Sequence, residues 1–387
     1  MKRHLAAAIL GLSVAVAVLM AILRPVPHGH RYDLAIQLTS GLLLIALFLK
    51  VPRRRLFSKP VLAAVFVVGL TLGVNNLARI KPGSEIVRYY GTVFEALDTG
   101  RNPYAAGTIF HMDENGTAVY GNFNYPPAEI YPYYWAYKIT GRWDSSVLTG
   151  TMLLLNALGC VMLLLTFPGI RAVELAAFFP FFMLGEIRTN PSLTFLVTAG
   201  LVALMVRERR RPSRVRPIAI ALLFGLGLMT KFLVWPLMAA YYWNRFDPKR
   251  PASLGPISGG GGLALGTSLL LMAPFGVMAV VKEAFLFNVS LAQRAGLTTF
   301  YPNVLSGPLR ALSAGTIYPV VALLVMAGAV LVAPRLRLFP ALLTAASAFL
   351  LAAPTPEPQF LPIVLFLALA ARCLEREGGA IPGGEGT

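Results

Sequence analysis

Long apolar runs joined by short basic connections set the pattern of this chain, and a single polar interruption at residues 79–146 breaks it. Runs near 5–23, 34–49, 60–78, 147–167, 172–186, 191–206, 217–230, 232–244, 257–279, 316–333, 338–353 and 359–373 each predict a helix. A straight bilayer crossing takes about 20 apolar residues, so the longer runs predict membrane spans. The shorter ones predict spans with soft boundaries, and the pair flanking Lys231 is compatible with a broken or re-entrant element. The pattern predicts an all-α, polytopic membrane protein of about 12 transmembrane helices. It divides into N-terminal spans (1–78), an external segment with short amphipathic or re-entrant helices (79–146), a helical bundle (147–373) and a Gly-rich tail (374–387) expected to be disordered. No internal repeat is visible.

Composition strengthens this picture. With 56% hydrophobic and 13% charged residues over 387 positions, polar surface is too scarce to solvate a globule of this size. The net charge of +17 does not mark a nucleic-acid binder, because the basic residues sit mainly in short loops beside apolar runs, where they set membrane orientation. With the N-terminus inside, the cytoplasmic segments hold 21 of the 34 Lys and Arg residues, and the opposite face holds about 11 of the 17 acids. Both termini are then cytoplasmic, and the polar interruption is extracytoplasmic. The first run follows Met-Lys-Arg-His, but Arg24-Pro-Val-Pro27 after it offers no small-x-small cleavage site, so it is expected to remain as a span. Cys160 falls mid-span and Cys373 at the far cytoplasmic end, which excludes pairing between them.

Within the interruption, Gly83-Ser-Glu-Ile-Val-Arg-Tyr-Tyr90 puts Glu85 and Arg88 three apart at the membrane surface, on one face if helical. Glu85 is either a base or one half of a solvated ion pair. Phe94 to Tyr104 predicts an amphipathic helix ended by Gly100 and a Pro turn, with Glu95 and Asp98 on its wet face and Asp98 still open as an alternative base. His111-Met-Asp-Glu-Asn-Gly-Thr117 predicts a hairpin turn. His111 with Asp113, and His28 with His30, lack further ligands, so no metal or other cofactor is expected. Tyr125 to Trp135 is dense in aromatic residues, as in an interfacial belt or a sugar-stacking platform. Lys231, between two apolar runs, either snorkels to the headgroups or pairs with a phosphate.

The surface acid, Tyr89-Tyr90, Gly100-Arg-Asn-Pro-Tyr104 and Tyr125-Pro-Pro127 together resemble the first external loop of the DUF2029-type, family 87 glycosyltransferases, which are polyprenyl-phosphate-mannose-dependent enzymes of the GT-C class. Leu184-Gly-Glu-Ile-Arg-Thr-Asn190 resembles that family's Gly-Gln-x-x-Asn element, and Gly225 to Lys231 its Gly-x-x-x-x-x-Lys segment. The similarity spans roughly residues 80–245, with an echo at Pro358-Gln-Phe360. This chain has Glu85 where the family usually has Asp and Glu186 where it has Gln, and two extra spans precede a loop that in the class follows the first.

The resemblance implies a GT-C-like membrane glycosyltransferase that moves a hexose, by family mannose, from a polyprenyl-phosphate donor to a lipid, glycan or protein acceptor. Glu85 would be the base. Arg88, Tyr89, Asn102, Tyr104, Tyr125, Glu186, Arg188, Asn190, Lys231, Asn288, Arg294 and Gln359 are the expected substrate contacts. The topology, assigned from Lys and Arg alone, puts these residues at or near one face. Ionizable groups near membrane depth usually line a cavity or path. A base for the acceptor hydroxyl, cations for the departing phosphate and an apolar groove for the prenyl tail would meet there, and one in-line displacement would invert the anomeric center. The Asn288-Val-Ser290 sequon is discounted as a glycan site. The competing expectation is a transporter or flippase of lipid-linked oligosaccharide, a class that often shows internal repeats and mid-membrane polar residues.

Overall fold

The computed structural model describes residues 85–105, 109–112, 118–167, 192–247, 253–286, 317–352 and 360–378, with a few more positions near 62–70, 177–183 and 249. These residues are helical apart from connections and one small hairpin. Helix α1 (Glu85–Asp98) leads into strands β1 (Ile109–Met112) and β2 (Ala118–Gly121), then a 3-10 turn (Pro127–Glu129) and α2 (Ile130–Thr140). The bundle follows as α3 (Ser145–Thr166), α4 (Ser192–Arg210), α5 (Arg216–Leu228), α6 (Val234–Trp243) and α7 (Leu254–Met272). A second 3-10 turn (Ala273–Phe275), the short α8 (Val277–Val280) and a π-helical turn (Val281–Leu286) come next. Helices α9 (Ile317–Leu331), α10 (Leu338–Ala352) and α11 (Leu361–Gly378) complete the described chain. Eight of the predicted apolar runs, from 147–167 onward, are therefore helices at nearly the expected positions. The runs at 5–23 and 34–49 lie outside the described residues, and those at 60–78 and 172–186 mostly so.

Among the described residues, two helical stretches are long and apolar enough to cross a membrane, Ser145–Thr166 and Leu254–Phe275. Both turn large apolar side chains outward. Along α3 the exposed stripe is Leu154, Leu158, Val161 and Leu165, and along α7 it includes Leu265, Leu269 and Leu270. The shorter α9 does the same with Val320, Leu323, Leu324 and Leu331. Bands of this kind are rare on surfaces that face water.

Close helix contacts depend on small residues. A Cβ at Gly225 of α5 would stand 2.5 Å from the Ala264 carbonyl oxygen and 2.5 Å from Thr267 Cβ, so the two backbones touch there. Ser268 Oγ donates to the Gly225 carbonyl at 3.0 Å across the same contact. Small residues with a hydroxyl between helices are a usual solution where no water-driven force brings helices together. Gly159 of α3 likewise leaves room for the Phe195 ring of α4.

The bundle has two chemically different ends. At one, Arg210 Nη1 donates to the Thr166 carbonyl at 3.1 Å, joining the C-terminal ends of α3 and α4. Arg216 pairs with Glu208 at 3.7 Å, and Asn244 Nδ2 donates to the Leu336 carbonyl at 2.8 Å. This end gathers the Arg-rich connections. The opposite end carries the starts of α3 and α4, the ends of α5 and α7, and the described residues of 85–140.

That segment is built as a cap. Helix α1 starts at Glu85, nine residues earlier than the amphipathic stretch at Phe94 predicts, because Val87, Tyr90, Val93, Phe94 and Ala96 make a continuous buried stripe. It stops in a Schellman motif: Arg101 N–H bonds the Ala96 carbonyl at 2.7 Å, Gly100 N–H bonds Leu97 at 3.1 Å, and Gly100 takes φ +69. The hairpin exists, with Met112 opposite Ala118 as the last described pair, and its predicted turn lies outside the described residues. Asp144 caps α3 through the Ser146 and Val147 N–H groups, and Trp143 Nε1 donates to the Val87 carbonyl at 2.7 Å. Helix α11 continues to Gly378, past the apolar run that ends at 373.

Candidate functional site

Lys231 sits in the break between α5 and α6. Met229 and Thr230 close α5 with tight bonds to Leu226 and Gly227, and Val234 N–H returns to the Lys231 carbonyl at 3.2 Å before α6 begins. Thr230 Oγ1 donates to the Gly227 carbonyl at 2.7 Å, and the Ala128 N–H of the cap reaches the Met229 carbonyl at 2.9 Å. The pair of apolar runs flanking Lys231 is thus one interrupted helical element whose break is stitched to the cap.

The Lys231 side chain is only 4% exposed, and its Nζ lies 3.8 Å from the centroid of the Tyr125 ring. Among the described residues no carboxylate is within ion-pair distance of it. An ammonium removed from water with only a ring quadrupole against it is an incompletely compensated charge. A helix C-terminus just before it eases the cost, since the final carbonyls favor a cation.

Tyr125 is held by the other tyrosines that the sequence singles out. Tyr104 Oη donates to the Tyr125 carbonyl at 2.7 Å, and the Tyr89 ring meets Tyr125 edge-on at 6.0 Å while stacking on Phe123 at 5.5 Å. Tyr89 Oη donates to Asn124 Oδ1 at 2.8 Å and accepts the Asn124 N–H at 3.0 Å. Asn102 closes its own turn by accepting the Tyr104 N–H at 3.0 Å, and its Nδ2 donates to the Phe275 carbonyl at 2.7 Å at the end of α7. Burial pushes the Tyr104 phenol well above its ordinary range, with the tyrosines around it and Glu129 adding to the effect. Tyr90 is raised in the same way, first by burial and then by Glu129. Both are therefore neutral donors throughout the ordinary pH range.

Five expected contacts, Tyr89, Asn102, Tyr104, Tyr125 and Lys231, form one connected cluster. Arg88 does not join it: it is exposed, and among the described residues no side-chain hydrogen bond or ion pair links it to these five. Glu85 opens α1, one turn before Tyr89 on the same helix face, but its side chain is outside what is described. Glu186, Arg188, Asn190, Asn288, Arg294 and Gln359 also lie outside the described residues.

The structure adds Glu129, which the aromatic density of residues 125–135 hides in the sequence. It is fully buried, and Thr194 Oγ1 in the first turn of α4 donates to its Oε1 at 3.4 Å. A carboxylate at the start of a helix is favorably placed. The available signal was one acid inside an otherwise apolar and aromatic stretch. Two buried donors at this end, Trp235 Nε1 and Ser192 Oγ, have no hydrogen-bond partner among the described residues. The rings of Phe232 and Trp235 both contact Phe285 in the π-helical turn, at 5.4 and 5.8 Å, which brings the start of the 281–315 segment against the Lys231 break.

Asp98 is fully engaged elsewhere. Its carboxylate accepts from Tyr134 Oη at 2.8 Å and Tyr137 Oη at 3.0 Å, and pairs with Lys138, whose ammonium also lies over both rings. The bond from Lys138, then those from the tyrosines, hold this carboxyl below the usual carboxylate range. Such an acid is a clamp between α1 and α2 and a poor proton acceptor.

Compared with known proteins, the chain matches no family model, no curated protein and no solved structure.

Proposed function

We propose that this chain is a polytopic membrane glycosyltransferase of GT-C type. It transfers a hexose, with mannose suggested by the family resemblance, from a polyprenyl-phosphate donor to a lipid, glycan or protein acceptor, with inversion. The observation that carries the proposal is the buried Lys231 ammonium, set on Tyr125 with no carboxylate partner among the described residues. An anion completes that arrangement, and a phosphate monoester leaving group is such an anion. The outward apolar bands of α3, α7 and α9 support several membrane crossings. The Arg-rich end of the bundle belongs on the cytoplasmic side with both termini, and the capped end is extracytoplasmic.

In the proposed step the acceptor hydroxyl oxygen attacks the anomeric carbon, its proton passes to the Glu85 carboxylate, and the bond from that carbon to the phosphate oxygen breaks. The electron pair leaves with the phosphate, which Lys231 stabilizes, with Arg294 as the second cation. The partners of the neighboring acids favor Glu85. Asp98 has three donors, Glu95 pairs with Arg101 at 3.3 Å, Asp144 caps α3, and Glu129 is sealed against Thr194.

The test is sugar transfer in purified membranes from a panel of polyprenyl-phosphate sugars. Glu85→Gln is expected to abolish transfer while expression persists, and Asp98→Asn to retain it. Full activity of Glu85→Gln would sink the mechanism. No transfer from any donor, with lipid-linked oligosaccharide instead crossing vesicles that contain the protein, would establish the flippase class.

A further inference from the structure

At the Arg-rich end, opposite the candidate site, α5, α6 and α7 enclose a cleft of about 430 Å³. Its walls are largely apolar, with Ile218, Ile257 and Leu263 among the lining residues, and Arg245 and Glu208 also line it. Arg245 rests on the Tyr241 ring, its guanidinium carbon 3.9 Å from the centroid. Among the described residues no carboxylate is within ion-pair distance of Arg245. Glu208 is occupied: it pairs with Arg216 at 3.7 Å and accepts the Ser213 N–H at 3.1 Å.

On α7 the cleft is lined by Gly259 and Gly260, the first two of four consecutive glycines that run to Gly262, although each glycine inside a helix costs about 1 kcal/mol relative to alanine. Only one of the four is required by packing. A Cβ at Gly260 would meet Tyr242 Oη at 2.5 Å, whereas one at Gly259, Gly261 or Gly262 would meet nothing within 4 Å. The run therefore leaves space beside α7 that side chains could have filled. Exposed Ile218 and Leu222 on α5 and Leu263 on α7 continue the apolar surface from the cleft toward the middle of the bundle. The surroundings are strongly basic: Arg207, Arg209, Arg210, Arg211, Arg214 and Arg216 belong to the same end.

We propose that this cleft binds one anionic glycerophospholipid, with its headgroup phosphate on Arg245 and its acyl chains along Ile218, Leu222 and Leu263. A cationic rim over an apolar groove that continues into an outward apolar face matches the two halves of such a lipid. Basic pockets between membrane helices on the cytoplasmic side recognize anionic headgroups through the same charge complementarity. The inference requires a membrane setting but not the transferase activity, so failure of either leaves the other standing.

The experiment uses the full chain, purified in a zwitterionic detergent and titrated with phosphatidylglycerol, phosphatidylcholine or inorganic phosphate. Bound lipid is counted by native mass spectrometry and binding is followed by thermal shift. One phosphatidylglycerol is expected to be retained in preference to phosphatidylcholine. Removing one cation near a lipid surface is worth about 1 kcal/mol, so Arg245→Ala is expected to weaken phosphatidylglycerol binding about fivefold. Gly259→Leu, which fills the cleft from a position where a Cβ meets no neighbor, is expected to remove the bound lipid without lowering the melting temperature in lipid-free detergent. Equal binding of the two lipids, or undiminished binding by both variants, overturns the proposal. Saturation by inorganic phosphate alone, with no added gain from phosphatidylglycerol, would identify a free-phosphate site and also overturn it.

Discussion

The contact between Lys231 and Tyr125 permits a quantitative test. Cation–π pairs range from about 0.5 kcal/mol at exposed sites to about 2 kcal/mol or more when desolvated. With Lys231 at 4% exposure and Nζ 3.8 Å from the ring centroid, the pair belongs at the upper end, about 2 kcal/mol. That is a factor of roughly 30 in an equilibrium constant. Tyr125→Leu alone overstates the contact, because it also removes edge contacts with Tyr89 at 6.0 Å and Phe123 at 5.6 Å. Contacts of that kind are worth about 0.5–1.5 kcal/mol each. A double-mutant cycle with Lys231→Met removes them, since they are lost equally whether position 231 carries Lys or Met. The assay is unfolding in mixed micelles by increasing SDS fraction, followed by far-UV circular dichroism. The coupling term should approach 2 kcal/mol, and Tyr125→Phe, which keeps the ring, should retain most of it. Independent residues add to within about 0.3–0.5 kcal/mol. Coupling no larger than that would refute the claim that the ring supports a buried ammonium and would favor a lysine that reaches the headgroups.

Other perturbations test the frame. The depressed Asp98 carboxyl contributes stability that is full above the ordinary carboxylate value and is lost as pH falls through its lower folded value. Acidification should therefore loosen α1 from α2, seen as faster amide exchange in both helices, and Asp98→Asn should abolish the pH dependence; an unchanged acid profile in that variant would rule out the clamp. Gly225→Ala should separate α5 from α7 and destabilize the protein by about 1–3 kcal/mol, the usual cost of overpacking. Gly255→Ala, on the same α7 but with open space around the new Cβ, should be neutral or stabilizing by up to about 1 kcal/mol, as read from melting temperatures.

The helices of the bundle were legible because outward-facing and core-facing positions are both apolar, so each run carries its own boundaries without help from tertiary structure. The break at Lys231 was visible for the same reason, as a charge between two such runs. Signals that depend on distant partners were not legible. Glu129 looks like one acid in an aromatic belt, and its role depends on Thr194, which is 65 residues away. Asp98 reads as a solvated helix position, yet Tyr134, Tyr137 and Lys138 converge on it only because α2 folds back along α1. The α1 start is not legible because the buried stripe that extends it to Glu85 depends on distant partners such as Phe123 and Tyr133. The Tyr89 and Tyr90 rings pack into the cap, with Tyr90 fully enclosed. The spacing of Arg88 to Glu85 and the resemblance place it with the site, while in the structure it is exposed on α1.

The bond from Asn102 to the Phe275 carbonyl spans 173 residues, and it has a consequence for biosynthesis. Translation proceeds at about 5–20 residues per second, so the cap emerges roughly 10–35 s before the end of α7 exists to receive Asn102. The partners of Glu129 and Tyr125, Thr194 and Lys231, also appear later than the cap itself. During that interval a tyrosine-rich segment with an acid destined for burial waits without the helices that enclose it, on the far side of the membrane under the proposed topology. Arrest of translation between α3 and α7 should leave this segment open to protease, with protection appearing in steps as α4, the Lys231 turn and the end of α7 are added.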